Sequence, residues 1–305
     1  MECPIVSICC ICYNHESYIK NALDGFVMQK TNFPFNIVIS DDCSKDDTRK
    51  IIERYKAKYP NLICDISPDK NMGAIQNFLY VQQNATGKYI AICEGDDYWT
   101  DPYKLQKQVD FLESHPDFSM CCHGADVLNE TSRNIDCACE HMTTREYFPI
   151  DAFPTWQIPT ASIVYRRNVV ESFQIKDADK LTAGDVGLIL KCMHVGRVWG
   201  FTDHMSVYRM NSGGLTSQRP SMADLIKQCA HHIALMTNFP EIDKDYCNRF
   251  IAMVYYTIFR QGYDGVPKVK ALWIAFKYKP LYVIQKLLKI KGRKRNDLFY
   301  ERYRC

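Results

Sequence analysis

The first 129 residues alternate short apolar runs with amphipathic stretches of helical period, and this alternation constrains the fold more than any other feature. An apolar run followed by such a helix is the repeating unit of a parallel β-sheet covered by helices. Ligands bind to sheets of this kind at the carboxyl ends of the strands. We predict strands at Ile5–Ile11, Phe35–Ser40, Ile63–Ser67 and Tyr89–Cys93, and helices at Tyr18–Gln29, Asp46–Tyr59 and Gly73–Asn84. A fourth helix is predicted to open with Asp101 as its N-cap and Pro102 as its first residue.

The pattern becomes less regular after residue 129. Between Cys137 and Ser212 we predict a strand at Ser162–Arg166, a helix at Gly184–Val195 and a hairpin at Val198–Arg209. Beyond Gly213-Gly214 nearly all of the pattern is helical, and Pro240, Pro267 and Pro280 interrupt it. We predict helices there at Met222–Asn238, Tyr246–Gly262 and Val266–Leu288.

The composition is that of an ordinary globular protein, with 47% hydrophobic and 24% charged residues, which excludes collagen-like and disordered chains. We find neither a signal segment nor an apolar run of about 18 residues, so we expect a cytoplasmic protein. In that compartment the fifteen cysteines are expected to be reduced thiols. Cys137, Cys139 and His141 form the only close cluster of zinc-ligand type, and without a second pair we do not favour zinc there.

The charge of the chain is unevenly distributed. Residues 266–305 contain twelve Lys or Arg against Asp297 and Glu301, a formal charge of +10, so the rest of the chain carries −7. Apolar and basic positions alternate at helical spacing over residues 266–290. One interpretation is an amphipathic tail that contacts an anionic membrane from the cytoplasmic side. The alternative is a helix whose apolar face packs on the catalytic domain with its lysines in solvent.

Polar clusters follow three of the predicted strands, and the parallel arrangement would bring them to one edge of the sheet. Hard carboxylate ligands suit Mg²⁺ or Mn²⁺, which proteins commonly hold with one or two carboxylates plus substrate phosphates. Asp42 could accept a hydrogen bond from the ring nitrogen of a uracil-like base while Tyr13 stacks beneath it. The clusters are Tyr13-Asn14-His15-Glu16, Asp41-Asp42 and Glu94-Gly95-Asp96-Asp97.

These residues carry a resemblance to a known family. Ser7–Asn14, Asp41-Asp42-x-Ser44, Gly87–Ile90 and Glu94–Trp99, in this order and spacing, resemble a GT-A glycosyltransferase of family 2. The resemblance covers residues 4–212 and implies an α/β GT-A fold, with a Rossmann-like, mostly parallel central sheet flanked by helices and a C-terminal helical extension. It divides the chain into a nucleotide-sugar-binding half at 1–129, an acceptor half at 130–212 and a helical region with a basic amphipathic tail at 213–305.

The resemblance also implies roles for individual residues. In that family the residue matching Asp42 binds uracil, the acidic motif binds ribose and a metal, and a later acidic residue, here Asp185, is the catalytic base. We therefore expect Asp97, at a solvent-facing strand end, to bind Mn²⁺ or Mg²⁺. The nucleotide-sugar-binding residues are then expected to be Tyr13, Glu16, Asp42, Glu94 and Asp96.

Structural alternatives exist for several of these residues. Asp41 and Asp42 could cap the helix that follows them. Asp185 could be a helix N-cap, or could stabilise the first turn of its helix through the macrodipole. Tyr13 could be rim packing, and Trp99 could belong to the core or to the pocket wall. Two positions also depart from the family pattern: Gln76-Asn77 stands where an Arg is common, and Asn211 stands where a His often supplies a metal ligand.

The resemblance implies a metal-dependent, inverting transferase of the hexosyltransferase class. The expected reaction moves a sugar from a nucleotide donor, expected to be UDP-linked, to a hydroxyl of a glycan or lipid-linked acceptor in cell-envelope polysaccharide biosynthesis; no nucleic acid is expected as a partner. One alternative is a catalytically inactive scaffold that binds nucleotide sugars or glycans. Another is a nucleotidyltransferase, which should carry a Gly-rich basic phosphate loop where this chain has Tyr13–Glu16.

Overall fold

The computed structural model describes residues 3–130, 132, 134–136, 142–172, 174–211 and 220–288. Cys137, Cys139, His141 and the last residues of the basic tail lie outside the described residues. Backbone contacts divide the chain into two compact units, the first formed by residues up to 175 with 183–212 and the second by 176–182 with the residues from 213 onwards. The predicted boundary at residue 212 and the halves within the first unit stay predictions.

The first unit is built around one mixed sheet with the strand order β3-β2-β1-β4-β9-β6-β10-β5, in which β7 also pairs with β6 and β8 with β10. Strands β1, β2, β3, β4, β6 and β10 run in the same direction, because β9 is antiparallel to both β4 and β6. The strands are β1 Val6–Cys12, β2 Phe35–Asp41, β3 Ile63–Asp65, β4 Tyr89–Ile92, β5 Tyr98–Trp99, β6 Phe118–Asn129, β7 Asn134–Asp136, β8 Arg145–Tyr147, β9 Val164–Arg166 and β10 Arg197–Met210.

Helices pack on this sheet through their apolar faces. In the first helix the side chains of Ile19, Ala22, Leu23 and Phe26 are fully buried, which is the spacing of one helical face. The helices of the first unit are α1 Ile19–Val27, α2 Thr48–Lys58, α3 Ala74–Gln83, α4 Lys104–Ser114, α5 Pro149–Ala152, α6 Asn168–Ser172 and α7 Gly184–Val195. The predicted α/β class, with a mostly parallel central sheet, is confirmed.

Three local predictions need correction. Residues 197–210 form one long strand, so the predicted hairpin is wrong: the polar residues Thr202 and Asp203 lie at register shifts against β6, not at a reversal of the chain. Helix α4 begins at Lys104, and Asp101 accepts a hydrogen bond from the Tyr103 amide at 2.7 Å without being the N-cap. The single helix predicted over Val266–Leu288 is interrupted before Pro280, because proline cannot continue a helical hydrogen-bond ladder.

The second unit is helical in its described part. Its helices are α8 Met222–Asn238, α9 Lys244–Gln261, α10 Lys268–Tyr278 and α11 Pro280–Leu287, preceded by a 3₁₀ turn at Ala178–Lys180. Ser221 caps α8, because its hydroxyl accepts from the Asp224 amide while the Asp224 carboxylate accepts from the Ser221 amide at 3.0 Å. The predicted C-terminal helical region is thus present. Among the residues described, no helix has both the length and the apolar character needed to cross a membrane.

Candidate active site

The loops that follow β1 and β2 are joined by hydrogen bonds at the carboxyl edge of the sheet. The Lys45 amide donates to Asn14 Oδ1 at 2.8 Å, and the Glu16 amide donates to Asp46 Oδ2 at 3.0 Å. In return, Glu16 Oε2 accepts from the Asp47 amide at 2.9 Å. The first two predicted clusters therefore lie side by side, and the Glu16 carboxylate already contributes to the pairing of the loops.

Asp42 fixes the start of helix α3. Its buried carboxylate accepts hydrogen bonds from the amides of Met72 at 2.7 Å and Gly73 at 2.9 Å. Gly73 has φ +85°, a conformation that favours glycine. Asp41 instead accepts from the Ser44 amide at 3.3 Å, so neither aspartate caps α2 as the structural alternative supposed. Each carboxylate oxygen has two lone pairs, and Asp42 keeps capacity for a further donor.

Asn77 is one of the two residues, Gln76-Asn77, that stand where the family often has arginine. Its side chain is buried, and its Nδ2 donates to the carbonyl of Ser40 at 3.1 Å. The amide thus attaches α3 to β2 within the core. A diphosphate contact from this position is not supported.

The acidic motif follows β4 and presents its carboxylates unequally. Asp97 is only 3% exposed, and its Oδ1 accepts from the Arg209 amide at 2.8 Å. The expectation of a solvent-facing Asp97 is therefore wrong. The Asp96 side chain is 19% exposed, with its Oδ2 lying 3.2 Å from Asn211 Nδ2 and 4.0 Å from His15 Nε2. Asp96 is thus the more accessible of the two, and Asn211 lies next to it.

Gly95 allows the motif to lie against β1 and α1. A Cβ atom at this position would come within 2.8 Å of Cys12 Cβ and 2.9 Å of Ile19 Cδ1. Separations below 3 Å are steric clashes, and both neighbours belong to the packed core. The glycine is required here by close packing.

Burial and neighbouring negative charge raise the pKa values of Glu94 and Asp97. The pKa of Glu94 lies well above its usual value, first because of burial and then because of the negative charges of Asp96, Asp97 and Asp185. Burial, and then Asp96, likewise raise the pKa of Asp97, while Arg209 acts in the opposite direction. A bound cation would relieve this accumulation of like charge.

The acidic residues suit a cation that is only partly held by protein. The described part of the chain contains no group of three or more His, Cys, Asp or Glu side chains placed to hold a metal ion. Mg²⁺ and similar ions are often bound by one or two carboxylates, with substrate phosphates and water completing the shell. Carboxylates of the Glu94–Asp97 motif fit that kind of site.

Asp185 lies in the first turn of α7 and reaches the same region. Its Oδ2 accepts hydrogen bonds from Thr160 Oγ1 at 2.9 Å and from Trp156 Nε1 at 3.2 Å. Because Ala183 is the N-cap of α7, Asp185 is not the cap residue. Burial raises the pKa of Asp185, which the two side-chain donors partly oppose. A carboxylate with a raised pKa is a stronger base.

Sequence reasoning missed the residues that position this carboxylate. Trp156 and Thr160 belong to a segment without a motif, and nothing in its pattern indicates their function. Trp99 is core: its ring is buried, and its Nε1 donates to the Ala161 carbonyl at 2.8 Å. The acidic motif is thereby linked to the segment that contains Thr160.

The family model of Glycosyl transferase family 2 matches residues 7–172, more than half of the chain. The chain belongs to this family. An uncharacterized protein of Mycobacterium tuberculosis is 36% identical over 238 residues, which cover 72% of this chain and 68% of the relative. TuaG of Bacillus subtilis, provisionally named a teichuronic acid biosynthesis glycosyltransferase, is 32% identical over 109 residues, or 36% of this chain and 42% of TuaG.

Solved glycosyltransferase structures have the same fold. TarS of Staphylococcus aureus, residues 1–349 in complex with UDP-GlcNAc, superposes with a TM-score of 0.62 at 18% identity, over 91% of this chain and 82% of that chain. The mannosyltransferase PcManGT of Pyrobaculum calidifontis, in complex with GDP-Man and Mn²⁺, has a TM-score of 0.57 at 16% identity, over 95% and 89%. The expected GT-A fold is confirmed.

Proposed function

We propose that this family 2 glycosyltransferase is an inverting enzyme that transfers a sugar from a UDP-sugar to an acceptor hydroxyl. The observation that carries the proposal is the position of Asp185. Although it is 88 residues beyond the acidic motif in the chain, it accepts a hydrogen bond from Thr160, and the next residue, Ala161, accepts one from the indole of Trp99, two residues after Asp97. One carboxylate, oriented by two hydrogen-bond donors, thus lies close to the motif proposed to hold the donor.

The proposed reaction needs a single base. Asp185 takes the proton of the acceptor hydroxyl as that oxygen attacks the anomeric carbon. The bond from this carbon to the diphosphate oxygen breaks on the opposite face, and the nucleoside diphosphate leaves with the bonding electrons. One displacement inverts the anomeric centre without a covalent intermediate, by the geometry that separates inverting from retaining glycosidases.

For the donor, we propose contacts at the carboxyl edge of the sheet. Tyr13 is 40% exposed, which leaves its ring available to stack on a base. Asp42 is held in place by the loop before α3, so its remaining lone pairs have a fixed direction. Glu16 and Glu94 stay predicted contacts to the nucleotide sugar. The solved complexes of TarS with UDP-GlcNAc and of PcManGT with GDP-Man support a nucleotide-sugar donor.

A divalent cation, Mn²⁺ or Mg²⁺, is part of the proposal. Asp97 remains the predicted ligand, and we add Asp96 because its carboxylate is the more accessible. When bound, the ion neutralises charge on the diphosphate. Asn211, beside Asp96, could contribute its amide oxygen if the amide were turned over.

A panel of nucleotide sugars, tested for thermal stabilisation with and without Mn²⁺, identifies the donor, because a ligand of the folded state raises stability by mass action. Donor hydrolysis and transfer are then measured with that donor. The inactive-scaffold alternative predicts stabilisation without turnover. We expect turnover in the wild type and its loss in Asp185→Asn at unchanged stabilisation by the donor.

For the acceptor, we propose a glycan or lipid-linked glycan of the cell envelope. The relative named for teichuronic acid biosynthesis supports this class. The two terminal described helices support a location near lipid. Ala271, Ala275 and Val283 are buried against their own unit, so one face of these helices is covered by other helices of that unit. The apolar residues exposed in α10, α11 and the residue after them are Val269, Trp273, Leu281, Ile284, Leu287 and Leu288.

The charge around these residues matches an anionic membrane. Residues 268–288 contain five lysines and no acidic residue. A lysine near an anionic leaflet contributes about 1 kcal/mol. We therefore propose peripheral binding through the exposed face of α10 and α11.

Sedimentation with vesicles tests this membrane proposal. Vesicles of phosphatidylglycerol and phosphatidylcholine should bind the wild type at low salt and release it as salt is added. Trp273→Ser with Leu281→Ser should weaken binding, whereas Tyr103→Ser, an exposed aromatic on the first unit, should not. If the double variant and the wild type bound the vesicles equally, the proposal that α10 and α11 bind the membrane would be refuted.

A further inference from the structure

Trp156 combines three features that point to a ligand. Its side chain is 45% exposed, although it is one of the largest apolar side chains. Its φ of +47° is rare for a bulky residue, and such strain is concentrated at functional sites. Its indole nitrogen donates to Asp185 Oδ2 at 3.2 Å, so the exposed ring is adjacent to the proposed base.

The segment that carries Trp156 is anchored on both sides. Arg145 forms two hydrogen bonds with the buried Asp151 carboxylate at 2.8 and 2.9 Å. The backbone carbonyl of Asp151 accepts from the Gln157 amide at 2.8 Å, one residue beyond the tryptophan. On the other side, Thr160 binds Asp185. An exposed apolar ring held in this way is preorganised, and little entropy is lost when a ligand contacts it.

We propose that Trp156 is the stacking platform for the acceptor, and that the acceptor group at the reaction centre is a sugar ring. The inference rests on the proposed function and names its acceptor class. A pyranose has an apolar face of C–H groups, which matches the negative face of an indole. The indole N–H already donates its hydrogen bond to Asp185, so the exposed face of the ring is the part that can contact the ligand.

This arrangement places the acceptor relative to the base. A sugar stacked on Trp156 has its hydroxyl groups at the ring edge, next to the carboxylate that the indole N–H contacts. The residue therefore has two separable effects: the N–H group positions Asp185, and the ring binds the acceptor. A polyol phosphate or a lipid alone has no ring to stack and would gain little from the indole.

The test separates these two effects with three variants. Trp156→Phe keeps an aromatic ring and removes the N–H donor, Trp156→Leu removes both, and Thr160→Val removes the other donor to Asp185 while leaving the indole. Binding of chitotriose, cellotriose, mannotriose and glycerol 3-phosphate is measured by calorimetry, and by tryptophan fluorescence in a Trp273→Phe background, where Trp156 is the most exposed tryptophan.

We expect one or more of the oligosaccharides, but not glycerol 3-phosphate, to bind the wild type. Trp156→Leu should weaken that binding about tenfold or more, the equivalent of one stacking contact of about 1.4 kcal/mol. Trp156→Phe should change it less than about threefold, and Thr160→Val should leave it unaltered while lowering kcat. The fluorescence change should be absent in the Trp156→Leu variant.

The inference is overturned if none of the oligosaccharides binds, or if Trp156→Leu binds them as tightly as the wild type does. Donor turnover in a protein that binds no oligosaccharide would refute the platform and leave the transferase proposal standing. Oligosaccharide binding at Trp156 in a protein that turns over no nucleotide sugar would refute the transferase proposal and leave the platform.

Discussion

Lys104 is a buried lysine whose proton should make the stability of this protein depend on pH. Its side chain is fully buried, with Nζ donating to Gln108 Oε1 at 2.7 Å and lying 4.1 Å from the centroid of the Trp99 ring. Burial lowers the pKa of Lys104 from 10.5 to about 7, and the nearby thiols of Cys93 and Cys121 oppose the shift only in part. The charged form is therefore disfavoured in the folded state.

The sign and size of the effect follow from linkage. Between a folded pKa of about 7 and an unfolded value of 10.5, the unfolded chain binds more protons, so the free energy of unfolding rises with pH. The slope approaches about 1.4 kcal/mol per pH unit within this window. Between pH 7 and pH 9 the wild type should gain about 2 kcal/mol relative to a variant without this lysine. Well below pH 7, where Lys104 is protonated in both states, the difference should be constant.

Urea unfolding at pH 7, 8 and 9 in a reducing buffer, comparing the wild type with Lys104→Met, measures this difference. Subtracting the two curves cancels the titration of the cysteines, which both proteins share. Lys107→Met, on the same helix, is the matched control. Its hydrogen bond with Asp101 raises the pKa of Lys107, so this group stays charged in both states throughout the range. Parallel stability curves for wild type and Lys104→Met would refute the argument.

Other predictions concern the site. Asp185→Asn should lower transfer about 10²–10⁴-fold with donor binding intact, measured by initial rates and calorimetry. Because burial raises the pKa of Asp185, kcat should rise with pH at values above the usual pKa range of a carboxylate. Thr160→Val removes a hydrogen bond that lowers this pKa, so it should shift the rising limb of the kcat profile to higher pH. Asp97→Ala should lose Mn²⁺-dependent UDP affinity and also about 1–3 kcal/mol of stability in urea unfolding, since the amide of Arg209 loses its acceptor. Gly95→Ala should weaken donor binding in the same calorimetry, because its Cβ cannot fit against Cys12.

The sequence by itself determined the secondary-structure elements and the polar residues that are able to bind a ligand or take part in a reaction. Strand β1 reads as a continuous apolar run because both faces of the sheet are covered, and helix α7 has the predicted ends. The sequence alone also predicts that the polar clusters after β1, β2 and β4 lie at one edge of the sheet, since the carboxyl ends of parallel strands are on the same side.

Only the tertiary structure decided which of these residues work together. The contacts of Asp185 with Trp156 and Thr160 span 29 and 25 residues, and no periodic pattern encodes a side-chain hydrogen bond over that distance. The position of β9, antiparallel between β4 and β6, could not be predicted either, because the residue pattern of a strand does not specify which strands pair with it. Likewise, Asp96 and Asp97 are chemically identical in sequence. Their difference in burial arises because β10 pairs with β5, directly after the acidic motif, and the Arg209 amide of β10 donates a hydrogen bond to Asp97.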